Sequence, residues 1–249
     1  MKTNHKKKNL IILLVVIVVY YLLFEFILPI NKILPKPSLL LESFSSLWSD
    51  YHLLSSFAVS ASAVYTSIII GYLIINFTSG FWIAAFSKNE NLFLPFKLFR
   101  YFPAFFYAVI FAFWFPESIL AEYFFALIAS VFFLALTIKT ELPDVKKEYL
   151  DSAKSLGVPE TDINSKIIWK IIQPGVFESL TRLHYYLWVL VLVFEFVGEI
   201  SGFGGIYDEL LSYHDFAALF ALAIFISLII FAGTSFINFF KNKIIYWRQ

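Results

Sequence analysis

The chain has 249 residues, 60% of them hydrophobic, 20% aromatic and only 15% charged, with a mean hydropathy of +0.78. A water-soluble globule, which carries about 25% charged residues, is excluded, and 31 Phe and 14 Tyr against nine Gly and nine Pro exclude a disordered chain. With no Cys and a formal charge of +1 there is no disulfide framework, no thiolate metal site and no electrostatic case for nucleic acid, so the composition describes an all-α, polytopic membrane protein whose first partner is the lipid bilayer.

A spanning helix needs about 20 mostly apolar residues to cross about 30 Å of hydrocarbon. Six stretches meet that need: residues 10–30, 57–86, 98–115, 119–138, 176–200 and 216–240. Residues 1–30 form a tail carrying Lys2, Lys6, Lys7 and Lys8, followed by a span that is long for a secretory signal and lacks a small-x-small cleavage site, so a retained anchor is expected. Residues 31–52 form a loop in which Leu34-Pro35-Lys36-Pro37-Ser38 interrupts the helix. Leu40, Phe44, Leu47 and Trp48 then recur at helical spacing, predicting an interfacial helix. Residues 53–249 make the core, five further spans with one long loop over 140–175. Its first span carries Ser60, Ser62, Thr66, Ser67, Gly71, Ser79 and Gly80, small residues that permit close packing in lipid or line a path. Sixteen of the 19 basic residues fall in the N-terminal tail, the loops after spans two and four, and the C-terminal tail. Only Lys32 and Lys36 fall in the opposite loops, with Arg182 near the start of span five. This asymmetry predicts a multi-pass cell-membrane protein with both termini in the cytoplasm.

The long loop is polar, mixed in charge and not of low complexity. Pro143 and Asp144 suit a helix start, and Leu142, Val145, Tyr149, Ala153 and Leu156 follow an i, i+3/i+4 stripe. Gly157 ends that helix, and Pro159 opens a second short one over residues 160–169, with Pro174 and Gly175 marking the start of span five. Two short helices joined at a glycine would project as a rigid knob. No G-x-x-x-x-G-K-S/T loop occurs, so nothing here cradles nucleotide phosphates.

Asp151-Ser152-Ala153-Lys154-Ser155-Leu156-Gly157, followed after nine residues by Ile167, resembles the E-A-A-x-x-x-G then I-x-L-P signature of the permease subunits of type I ABC importers. Asp replaces Glu and Ser replaces Ala; Trp169-Lys170 replaces Leu-Pro, while Pro174 stands where the nitrate/sulfonate/taurine-type branch carries a second proline. Leu34 to Ser38, Arg100-Tyr101-Phe102-Pro103, Trp114-Phe115, Glu195 with Gly202-Phe203-Gly204, and Trp247-Arg248 resemble further motifs of that branch, in order. The resemblance implies six transmembrane helices with a coupling helix between spans four and five. A homodimer of permease copies would surround the pathway, an ABC ATPase dimer would dock on residues 143–170, and an extracytoplasmic solute-binding protein would deliver a small anion, sulfonate or vitamin-precursor-like solute. ATPase coupling would fall to Asp151, Ser152, Ala153, Gly157, Ile167 and Pro174. The chain itself would have no catalytic residue and no cofactor, with ATP and Mg in the partner ATPase.

Carboxylates in spans are costly and functional by default. Glu25 and Glu122, near outer span ends, are read as solvated anchors, and Glu178 with Arg182 as a local i, i+4 pair. Glu195 and Glu199, sharing one face of span five beside Gly202 and Gly204, are candidates for a pathway lining or dimer seam. Two alternatives stay open on the residues alone: a carboxylate-driven secondary transporter, and an intramembrane hydrolase using Glu195 and Glu199 with His184 or His214. His5, His52, His184 and His214 have no metal-ligand spacing.

Overall fold

The computed structural model describes residues 2–28, 34–88 and 103–245, and these are helical apart from turns. Nine helices are described: α1 (Lys2–Leu22, continued by a π-helical turn, Leu23–Ile27), α2 (Pro37–Ser49), α3 (Leu53–Lys88), α4 (Ala104–Trp114), α5 (Ile119–Glu141), α6 (Lys147–Ser155), α7 (Glu160–Val197), α8 (Phe203–Ser212) and α9 (Phe216–Ile244). Among the described residues, four segments are long and apolar enough to cross a membrane: Leu53–Lys88, Ile119–Asp144, Glu160–Val197 and Phe216–Lys241. The first and third expected spans correspond to the shorter apolar helices Leu14–Ile27 and Phe105–Trp114. Of those two stretches, residues 29–30 and 98–102, Arg100 to Phe102 among them, lie outside the described residues, as do Lys97 and the closing Trp247-Arg248.

The chain divides into two compact units. The first comprises residues 1–55 and 206–227. In it the Tyr20 hydroxyl donates to the Pro35 carbonyl at 2.6 Å. The Glu25 carboxylate accepts from the Ser38 backbone N–H at 3.2 Å and from its hydroxyl at 3.0 Å. Glu25 is therefore more than the solvated anchor its position predicted: it satisfies orphan donors at the start of α2, where a negative charge also meets the positive end of the helix dipole. Pro37, with no N–H to lose, occupies the first turn of that helix. Leu47 is fully buried while Leu41 and Trp48 on the same helix are 71% and 58% exposed, an apolar outer face suited to a headgroup layer.

The second unit comprises residues 56–205 and 228–249, and α7 is its hub, packing along both α5 and α4. Ala108, Ala112 and Ala121 bring the three helices close, and Phe125, Leu190, Phe194 and Ile200 fill the space between them. In lipid, where apolar surfaces gain little from leaving water, such close packing is what holds helices together. Ser118 caps α5 by accepting from the Ala121 N–H at 3.2 Å, and Lys139 lies in its last turn.

One element differs from expectation. The second knob helix is not separate: α7 runs unbroken from Glu160 through a π-helical turn, Ile163–Ile168, and through Pro174 to Val197. A proline is tolerated inside a membrane helix when packing neighbours and local π geometry accommodate the missing donor. Gly175, directly after it, leaves room for the Glu141 carboxylate, which a Cβ there would strike.

Candidate functional site

The projecting element begins at the end of α5 with a single 3-10 turn, Leu142–Asp144, and continues as α6. Its end is a Schellman cap: the Val158 N–H donates to the Ala153 carbonyl at 3.2 Å and the Gly157 N–H to Lys154 at 2.9 Å, with Gly157 at φ +73°. That left-handed conformation is the physical reason for glycine at this position. Ala153 is turned inward at 5% exposure, whereas Asp151, Ser152 and Gly157 lie open. Leu156 is 83% and Tyr149 54% exposed, so the predicted apolar stripe splits: these two face outward, while Ala153 is buried and Leu142 and Val145 are half-buried. Ile167 and Pro174 are not on that surface; they are half-buried and buried, respectively, along the stem of α7.

The same stem is fastened to α3. The Trp169 indole donates to the Asn76 amide oxygen at 3.0 Å, and the Gln173 amide to the Tyr72 hydroxyl at 2.8 Å. The Trp169-Lys170 departure from the importer pattern thus supplies a donor that leucine lacks.

At the other end of α7, Glu195 is fully buried. It accepts from the Ser60 hydroxyl at 2.6 Å and from the Gly204 N–H at 2.8 Å, while the Ser60 oxygen accepts from the Phe203 N–H at 2.9 Å. Glu195 and Ser60 together cap the first turn of α8. Gly202 and Gly204 are small because Glu195 is there: a Cβ on Gly202 would strike its carboxylate, and one on Gly204 would lie 2.6 Å from its Cβ and from the Phe196 nitrogen. Glu199 does not share its face. The helix ends at Val197, Gly198 terminates it, and Glu199 is exposed at φ +53° in the turn beyond. The exposed Glu199 carboxylate sits away from the capping network, so Glu199→Gln is expected to leave thermal stability within about 0.5 kcal/mol of wild type, as measured by melting in detergent.

Glu122 also departs from its expected role as a solvated anchor. It is 0% exposed, and its carboxyl group lies against that of Glu195. The turn at Ser118 starts α5 beneath the end of α7, where the Glu117 N–H donates to the Gly198 carbonyl at 3.0 Å, and this carries Glu122 inward. Glu178 pairs across to Lys241 at 3.6 Å.

A second polar centre had no sequence signal. His184 is fully buried; the donor-only Trp188 indole gives its hydrogen to Nε2 at 2.9 Å, Tyr65 lies at 3.2 Å from the same nitrogen, and Thr234 at 3.4 Å from Nδ1. Gly233 makes room for Tyr65 and His184. His184 and Glu195 thus belong to separate networks. Among the described residues no three His, Asp or Glu side chains converge as metal ligands.

The family model described as "Binding-protein-dependent transport system inner membrane component" matches residues 77–246, more than half of the chain. No curated protein and no solved structure gives a match. That family is not catalytic itself, and its members work with an ATPase and a binding protein. An exposed capped helix between two spans, a spanning bundle without nucleotide-binding loop and the match over residues 77–246 agree: the chain belongs to the ABC permease family of binding-protein-dependent transport inner-membrane components.

Proposed function

We propose that this permease is the membrane half of an importer of the nitrate/sulfonate/taurine type, that two copies enclose the pathway, and that a cytoplasmic ATPase dimer docks on α6. The observation that carries the docking reading is the exposed pair Tyr149 and Leu156 on α6, with the positive-φ Gly157, Asp151 and Ser152 exposed beside it. A short helix offering an apolar edge and charged flanks fits the groove of another subunit. Because α6 sits between α5 and α7, its displacement acts directly on two spans. Family membership sets aside the hydrolase and secondary-transporter alternatives. The substrate class, a small anion, sulfonate or vitamin precursor, rests on the branch motifs alone.

Orientation follows from the basic residues flanking the spans, with six spans and both termini in the cytoplasm. Single cysteines placed in this Cys-free chain test it. Ser38→Cys and Ser212→Cys are expected to react with an impermeant maleimide on intact cells, and Ser155→Cys only after the membrane is opened, with the purified ATPase then slowing its labelling. Reaction of Ser155→Cys in intact cells would invert the topology, and indifference to the ATPase would remove the docking site.

A further inference from the structure

The contacts between α3 and the stem of α7 fall in strict antiparallel register. Gly80 faces Ser165, Asn76 faces Trp169 and Tyr72 faces Gln173, so each step of four residues down α3 is a step of four up α7. All three rungs lie within the second unit. At the first, the missing side chain lets the helices close until a Cβ built on Gly80 would lie 3.1 Å from the Ser165 Cβ. At the second and third, directional hydrogen bonds cross the seam, and Tyr72 also lies against Phe177 at 4.8 Å between ring centroids. Sliding one helix past the other by a residue, about 1.5 Å, would break both bonds and drive Ser165 off the gap at Gly80. The seam between α5 and α7 is more mixed: Phe125 on Phe194 and Phe133 on Tyr186 are stacked rings, while the Glu141 carboxylate lies against Gly175 and Glu122 against Glu195.

We infer that α3 and the stem of α7 form one rigid lever, with Asn76, Trp169, Tyr72 and Gln173 as its positioning residues, so that displacement of α6 moves these two helices together. This rests on the docking reading above. The lever also explains what Trp169 does in place of the leucine of the family pattern: its indole N–H, a donor only, needs an acceptor, and Asn76 supplies it.

The test joins the rungs covalently. Gly80→Cys with Ser165→Cys places two Cβ atoms 3.1 Å apart, within a small adjustment of the about 3.5–4.5 Å Cβ separation that a disulfide spans. In vesicles holding permease, ATPase and binding protein, oxidation of this pair is expected to leave solute uptake and its coupling to ATP hydrolysis at the level of the reduced sample. Uptake that stops on oxidation and returns with dithiothreitol, while the ATPase stays bound, overturns the lever and leaves the docking reading standing. Failure of the ATPase to co-purify with the wild-type chain overturns the docking reading and the lever with it. A second pair covers poor insertion or bridging of the first: Asn76→Leu with Gln173→Leu, which removes both bonds, is expected to lower uptake per ATP hydrolysed by at least about fivefold, the order set by one lost hydrogen bond, with basal hydrolysis and ATPase binding retained. An unchanged ratio overturns the lever.

Discussion

Gly157→Glu is expected to reduce the ATPase recovered with tagged permease at least about tenfold, the equivalent of some 1.4 kcal/mol of docking energy. Two effects combine. A residue with a side chain at φ +73° meets left-handed backbone strain of about 1 kcal/mol, and a carboxylate is added to the exposed tip of the knob. The surroundings separate them: a Cβ at Gly157 has nothing within 4 Å inside the chain. The fold therefore has room for the new side chain, and any loss beyond backbone strain reports a partner pressed against that turn. Gly157→Ala, which carries the strain without the charge, should lose less. Both variants should insert normally, since the spanning helices satisfy their own backbone groups in lipid. Recovery of the ATPase at wild-type levels with Gly157→Glu would mean that α6 is not the docking element.

Glu195→Leu is expected to cost about 1–3 kcal/mol of stability, because it orphans the Gly204 N–H in a dry site and leaves the Ser60 hydroxyl only its longer bond to the Ser56 carbonyl at 3.2 Å. The melting temperature in detergent should fall by several degrees, and protease should cut first between residues 198 and 205, where the cap of α8 is released. Glu122→Gln should go the other way. It keeps the shape of the side chain and turns a carboxyl group that faces Glu195 into an amide able to donate to it. A Glu195→Leu protein that melts like wild type and resists cleavage there would show that the carboxylate has a task other than capping.

Much of the architecture was legible because lipid imposes a simple rule on sequence. Apolar runs marked α3, α5, α7 and α9, and the glycine after Leu156 marked the turn that ends α6. The continuity of α7 through Pro174 was not legible, because proline is a strong breaker in isolation and its toleration depends on neighbours that sequence does not identify. The polar centres were hidden for a related reason. Ser60 and Glu195 are 135 positions apart, and Tyr65 and His184 are 119 apart. Nothing in either local pattern announces a partner on another helix. Glu122 and Glu25 looked equivalent from their places near span ends, yet one is sealed inside the second unit and the other caps α2.

Glycine and non-glycine residues divide their tasks in an unusual way along this chain. Four turns place His52, Glu117, Glu199 and His214 at positive φ, positions that elsewhere favour glycine, while Gly71, Gly175 and Gly233 sit where a Cβ would collide with Ser130, Glu141 and the Tyr65–His184 pair. Thermostabilisation of this permease therefore has a clear direction. Adding glycine at the four corners relieves about 1 kcal/mol of strain apiece, partly offset by a looser unfolded chain. The usual remedy of converting helical glycines to alanine would instead wedge apart the crossings on which the spacing of the bundle depends.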